Sequence, residues 1–133
     1  MLAIHYGAKR YDAGKHEPVA NRKASWPAKP RGGLWATPET AVDAWKDWCE
    51  YNDFHLDRLI ERFTVDVTNM LTIDGNDDLR HVQWTGDMID WEELATRYDA
   101  IYVTVNGLGC TRGWRDVFDG WDVESVLILN PIV

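Results

Sequence analysis

Asp122-Val123-Glu124-Ser125-Val126-Leu127-Ile128-Leu129-Asn130-Pro131 is the stretch that decides the fold. Val123 to Leu129 reads as the strongest strand of the chain, and Asn130-Pro131 closes it because proline has no N–H to give to a ladder. Period-two alternation puts Asp122, Glu124, Val126 and Ile128 on one face and Val123, Ser125, Leu127 and Leu129 on the other. Both faces are apolar past Ser125, so the strand is expected to be covered from two sides. Glu124 then stands where the strand leaves the core, and a carboxylate there is costly unless it is paired or used. Solvation at the strand end, or a salt bridge to an arginine such as Arg112, would also account for it.

Working back from this strand, residues 106–121 hold four glycines and are expected to form a long exposed loop. Ala100-Ile101-Tyr102-Val103-Thr104-Val105 before them is a second buried strand. Asp90, with Glu93 three residues on and Leu94 on the buried side, caps a short helix. Asp77 or Asp78 starts another through Leu79 and Val82. Phe63, Val65 and Val67 alternate as a strand, Leu71 and Ile73 suggest another, and residues 55–62 look helical. Leu2 to Tyr6 is a short strand ended by Gly7, followed by a proline- and glycine-punctuated loop over residues 8–32. Gly33-Leu34-Trp35-Ala36 is a second short strand. Thr37 is read as a helix N-cap with Pro38 at the first helical position, and Ala41, Trp45 and Trp48 give a packing stripe on a helix ending near Asn52. The order is that of a small α+β domain with a few short helices.

The 133 residues are expected to make a single domain, 1–133. Their 45% hydrophobic and 27% charged content suits a globular chain and is too apolar for a disordered one. No apolar run is long enough to cross a membrane, and the first residues are too short and polar for a signal peptide. Cys49 and Cys110 lie far apart with no partner motif, which excludes a disulfide scaffold and fits a cytoplasmic location. The four histidines show no metal-ligand spacing, so no metal is expected. Gly107-Leu108-Gly109 lacks the third glycine of a dinucleotide fingerprint. Residues 1–31 carry seven basic and two acidic side chains, whereas the remainder carries seven basic and 20 acidic. That acidic body argues against broad nucleic-acid binding, and the basic stretch is either a solvated loop or the partner of an anionic ligand. Tryptophan is the odd feature of the composition, with eight residues.

His5-Tyr6-Gly7 on the first strand, Gly33-Leu34-Trp35-Ala36-Thr37 on the second and Glu124 opening the last resemble the three-part signature of ADP-ribosyltransferases. Asp90-Trp91-Glu92-Glu93-Leu94 running into Tyr98-Asp99-Ala100-Ile101, and the long loop before the glutamate, are further similarities to that family and its small phage and bacterial members. The resemblance implies a split two-sheet α+β fold around a cleft for nicotinamide adenine dinucleotide (NAD). It departs from the family pattern at two places: Tyr6, rather than His5, directly precedes the glycine, and Trp35 stands where a tyrosine is usual.

What the resemblance implies is an NAD-dependent transferase acting on a protein or other cellular target, in the host cytoplasm if phage-encoded. Glu124 would hold the ribose 2′-hydroxyl and stabilise the oxocarbenium-like transition state, with His5 or Tyr6 orienting the substrate. His5, Tyr6, Gly7, Gly33, Trp35 and Thr37 would form the NAD site, Trp35 stacking on nicotinamide. Arg10 or Lys29 would meet the pyrophosphate, and Arg112, Trp114 and Phe118 would read the target. The alternative is an inactive member of the same fold that acts by binding a host protein. The His5/Tyr6 offset and Trp35 favour that alternative.

Overall fold

Alternation settles the middle of the molecule. The computed structural model describes residues 1–23, 28–54, 56–111 and 117–132. Its strands are β1 (Leu2–Tyr6), β2 (Leu34–Pro38), β3 (Arg62–Asp66), β4 (Met70–Ile73), β5 (Trp84–Thr85), β6 (Met88–Ile89), β7 (Ala100–Val103) and β8 (Ser125–Ile128). Its α-helices are α1 (Val42–Tyr51), α2 (Trp91–Leu94) and α3 (Val105–Thr111). Six strands form one mixed sheet in the order β3-β1-β2-β8-β7-β4, and β5 and β6 form a separate hairpin. Only β4 and β7 run parallel. The two strands expected to be buried, β7 and β8, sit side by side inside the sheet, with Val103 opposite Ser125 and Ala100 opposite Ile128.

Each face of this sheet carries its own core. Leu71, Ile73, Ile101, Val103 and Leu127 pack on one face under Leu94, Trp91, Leu108 and Trp121. Ala3, Ala36, Val65, Ala100, Val126 and Ile128 pack on the other, with Phe63, Leu34 and Tyr102 at the margin. The central strands have no solvent face, which is why both alternating sets of β8 are apolar.

The sheet forks at β2. Leu34, Trp35 and Ala36 pair with β8, whereas Thr37 and Pro38 pair with Ile4 and Ala3 of β1. Beyond Ile4, β1 leaves β2 and stays with β3, out to Tyr6 opposite Arg62. At the fork, His5 Nδ1 lies 2.7 Å from the Trp35 carbonyl, satisfying an oxygen that the departing strand no longer serves.

Three readings from the sequence differ from the structure. Thr37 is not a helix cap: it is in β2, and its hydroxyl donates to the Ala41 carbonyl at 3.1 Å. Pairing with β1 keeps Thr37 and Pro38 extended, and a 3₁₀ turn (Glu39–Ala41) precedes α1. The stretch 106–121 is not an open loop, because its first part is α3 and Val117, Phe118 and Trp121 are buried in the core. Gly107 marks a close approach within that helix, since a Cβ there would lie 2.1 Å from the Ile73 carbonyl oxygen.

The helix expected at Asp90 is present, with the Asp90 carboxylate accepting from the Glu93 N–H at 3.1 Å. The β5–β6 hairpin, which turns at Gly86 with φ +61°, was not anticipated. Trp45 and Trp48 are another correction: they are half-buried and stack on each other rather than entering either core. No helix among the described residues is long and apolar enough to cross a membrane.

Candidate functional site

The fork opens into a cleft of about 380 Å³, within the range of small-molecule sites. Its floor is the face of the sheet carrying Ile4 and Tyr6 of β1, Trp35 and Thr37 of β2, and Ser125 at the start of β8. Trp45, Phe54 and Arg58 wall it from α1 and the segment after it, and Lys29 and Asp122 stand at its other side.

Loop 8–32 places the lysine. Ala20 and Arg31 pair as an isolated bridge, so the two legs of the loop lie against each other. Val19 is buried in the core, and the Gly33 N–H donates to the Glu17 carbonyl at 2.8 Å. Gly32 and Gly33 take φ of +71° and +74°, and a Cβ on Gly32 would fall 2.2 Å from the Pro18 carbonyl oxygen. Only glycine turns the chain into β2 there. Ala28 is clamped twice, its N–H donating to the Asp119 carbonyl and its carbonyl accepting from Trp121 Nε1 at 2.8 Å. Lys29, the next residue, sets its ammonium 5.3 Å from the centre of the Trp35 ring, within cation–π reach. Trp121 packs edge-on to Trp35, with ring centres 4.6 Å apart.

The electrostatics follow from burial. Half-burial lowers the Lys29 pKa, Asp122 opposes that shift, and the charge of Arg22 reinforces it. The Nε of Arg22 is buried and has no hydrogen-bond partner among the described residues. A buried unpaired donor on a cation, beside a second cation, is an unfavourable arrangement that an anion would relieve. Burial also lowers the His5 pKa, against the hydrogen bond to Trp35 and with a further push from Arg58. His5 is therefore favoured as the neutral ring, with Nδ1–H donating to the Trp35 carbonyl and Nε2 left as an acceptor on the Gly7 side.

Of the residues expected in the site, His5, Tyr6, Gly33, Trp35 and Thr37 are brought together on the cleft. The Thr37 hydroxyl is taken by Ala41. Gly7 lies just outside the lining and ends β1 with φ +120°. Arg10 is exposed and away from the lining, so only Lys29 of the two expected phosphate contacts faces it.

Glu124 does not line the cleft, although its neighbours Val123 and Ser125 do. Its carboxylate accepts a 2.6 Å hydrogen bond from the Tyr102 hydroxyl, on the sheet face opposite Trp35. Burial and the bond to this carboxylate both raise the Tyr102 pKa, so Tyr102 remains a donor. Phe118, expected to read a target, is buried with its ring 5.0 Å from that of Trp121. It therefore belongs to the core. Arg112 and Trp114 lie outside the described residues.

Two charged cleft residues, Arg58 and Asp122, are absent from the expected site. Arg58 comes from a segment with no sequence signal beyond a helical look. Asp122 was visible, but strand alternation grouped it with Glu124. The backbone is regular only from Ser125 onward, so Asp122 follows the preceding turn and faces the cleft. Among the described residues, no group of three or more His, Cys, Asp or Glu side chains could hold a metal ion. Comparisons with models of known protein families, with curated proteins and with solved structures found no match to this chain.

Proposed function

We propose that the cleft binds NAD and that the protein is an ADP-ribosyltransferase-like enzyme with a protein acceptor. The observation that carries this reading is the pairing of an aromatic floor with converging cations. Trp35 offers a ring face for a flat heterocycle, and Lys29 and Arg58 on the cleft supply positive charge for phosphates, with the charge of Arg22 felt at Lys29. A dinucleotide has both chemistries on one molecule. The fork between β1 and β8 supports the same reading, because it is the kind of split that the sequence resemblance implies.

In this reading, breaking the bond between nicotinamide and ribose develops an oxocarbenium ion, which needs a carboxylate nearby. The resemblance gives that part to Glu124. Among the described residues the carboxylate on the cleft is Asp122, while Glu124 is hydrogen-bonded to Tyr102. Its position favours a second reading, in which the fold binds a partner and has lost the transfer step.

The test is nicotinamide release from NAD by the parent, Glu124→Gln and Asp122→Asn. The transferase reading expects turnover by the parent and a loss of about 10²–10³ in rate when the working carboxylate becomes an amide. If only Asp122→Asn shows the loss, the charge is supplied by Asp122. A parent that neither binds nor cleaves NAD leaves the second reading.

A further inference from the structure

A ledge of exposed aromatic and aliphatic side chains lies beside the cleft. Tyr51 is 90% exposed, Ile60 84%, Leu56 44% and Phe54 40%, and together they are four of the seven exposed large apolar side chains among the described residues. Trp45 and Trp48 stack at 5.3 Å between ring centres, and Phe54 meets both edge-on. Tyr51 follows Trp48 one turn along α1, and Leu56 and Ile60 follow Phe54 in the chain, so the segment has the composition of a protein-binding surface.

The charges around the ledge specify the partner. Residues 39–61 carry seven acidic side chains and two basic ones. Lys46 pairs with Glu50 at 4.0 Å, Arg58 lines the cleft, and Lys9 from outside the segment pairs with Glu61 at 3.7 Å, which leaves the segment net acidic. Anionic headgroups and nucleic-acid phosphates are repelled by such a rim. Arginine or lysine side chains are attracted to it, and they also lie favourably on tryptophan and tyrosine rings. The ledge and cleft are continuous, since Trp45, Phe54 and Arg58 line the cleft.

We infer that the ledge from Trp45 to Ile60 is the docking surface for a basic segment of a partner protein, laid so that one end reaches the cleft mouth. The docking rests on the ledge itself, and only the identification of that segment as the acceptor rests on the NAD reading above.

The test uses the full chain and two synthetic peptides, one alternating arginine and leucine and its twin alternating glutamate and leucine. The arginine peptide is expected to bind, to weaken with added salt, and to lose about tenfold in affinity in the Tyr51→Lys/Ile60→Lys double variant. The glutamate peptide is expected not to bind. Neither substituted side chain is buried, so folding and NAD binding should be unchanged. The charge reversals Asp47→Lys and Asp57→Lys give a second route to the same loss should the double variant misfold. The inference is overturned by equal binding of the two peptides, by an affinity that the variants leave unchanged, or by a parent dimer that the double variant dissolves, because a second copy would then be the occupant. Peptide binding without NAD binding would refute the NAD reading and leave the docking surface standing.

Discussion

Two aromatic clusters hold five of the six tryptophans among the described residues, and they behave in opposite ways. Trp91 and Trp121 lie 6.1 Å apart and nearly parallel, both almost wholly buried, with Phe118 and Trp35 against them. Trp45 and Trp48 are also stacked, but on a half-exposed helix with Phe54 at their edge. The first cluster sits under a sheet that supplies partners on every side. The second has a partner on one side and solvent on the other. Aromatic side chains bury large areas wherever they can, so a cluster left half open indicates a surface kept for contact.

The largest expected effect separates the clusters directly. Trp91→Ala should cost about 3–5 kcal/mol of folding stability, as buried tryptophan truncations do. Trp48→Ala should cost less, about 1–2 kcal/mol, for a stacked pair that is only half-buried. Chemical denaturation of both variants checks this, and equal losses would mean that the ledge is part of the core.

A smaller effect tests how the buried cluster is roofed. Gly107→Ala adds a methyl group where the Ile73 carbonyl oxygen stands 2.1 Å away, so α3 must shift outward. A loss of about 1–3 kcal/mol is expected from this overpacking. Retention of parental stability would show that α3 can move freely, contrary to its close packing on β4.

The smallest effect concerns the fork. The folded-state pKa of His5 is lowered from the ordinary 6.5, so on acidification the unfolded chain takes the proton first. The contribution of His5 to stability is therefore present above pH 6.5 and lost as pH falls from there through the lowered folded value. His5→Gln should remove that part of the pH dependence, measured as the difference between the two denaturation series. Parallel series would place the His5 ring in solvent.

Much of this contrast was written in the sequence, for reasons that are local. β7 and β8 were legible because both alternating sets of residues are apolar, and the α2 cap because Asp90 and Glu93 have the right spacing. The cleft residues of β1 and β2 were found through motif resemblance. Three features depended on tertiary context. Gly107 looks like a loop residue, and only the neighbouring Ile73 carbonyl explains it. Trp45 and Trp48 have core spacing, but they stay half-buried, outside both cores formed by the described residues. Asp122 and Glu124, expected on one face, are separated, Asp122 on the cleft and Glu124 off it, because regular alternation begins at Ser125 rather than at Val123. Thr37, similarly, has the composition of a cap, yet strand pairing with β1 outweighed the local preference.

The central claim, that NAD occupies the cleft at the fork, is tested most directly by following the tryptophan indole N–H resonances of the parent during NAD titration. The account predicts saturable shifts of Trp35 and Trp45, which line the cleft, with Trp91, buried away from that lining, unmoved. No shift at saturating NAD, or shifts that leave Trp35 unmoved, would contradict it.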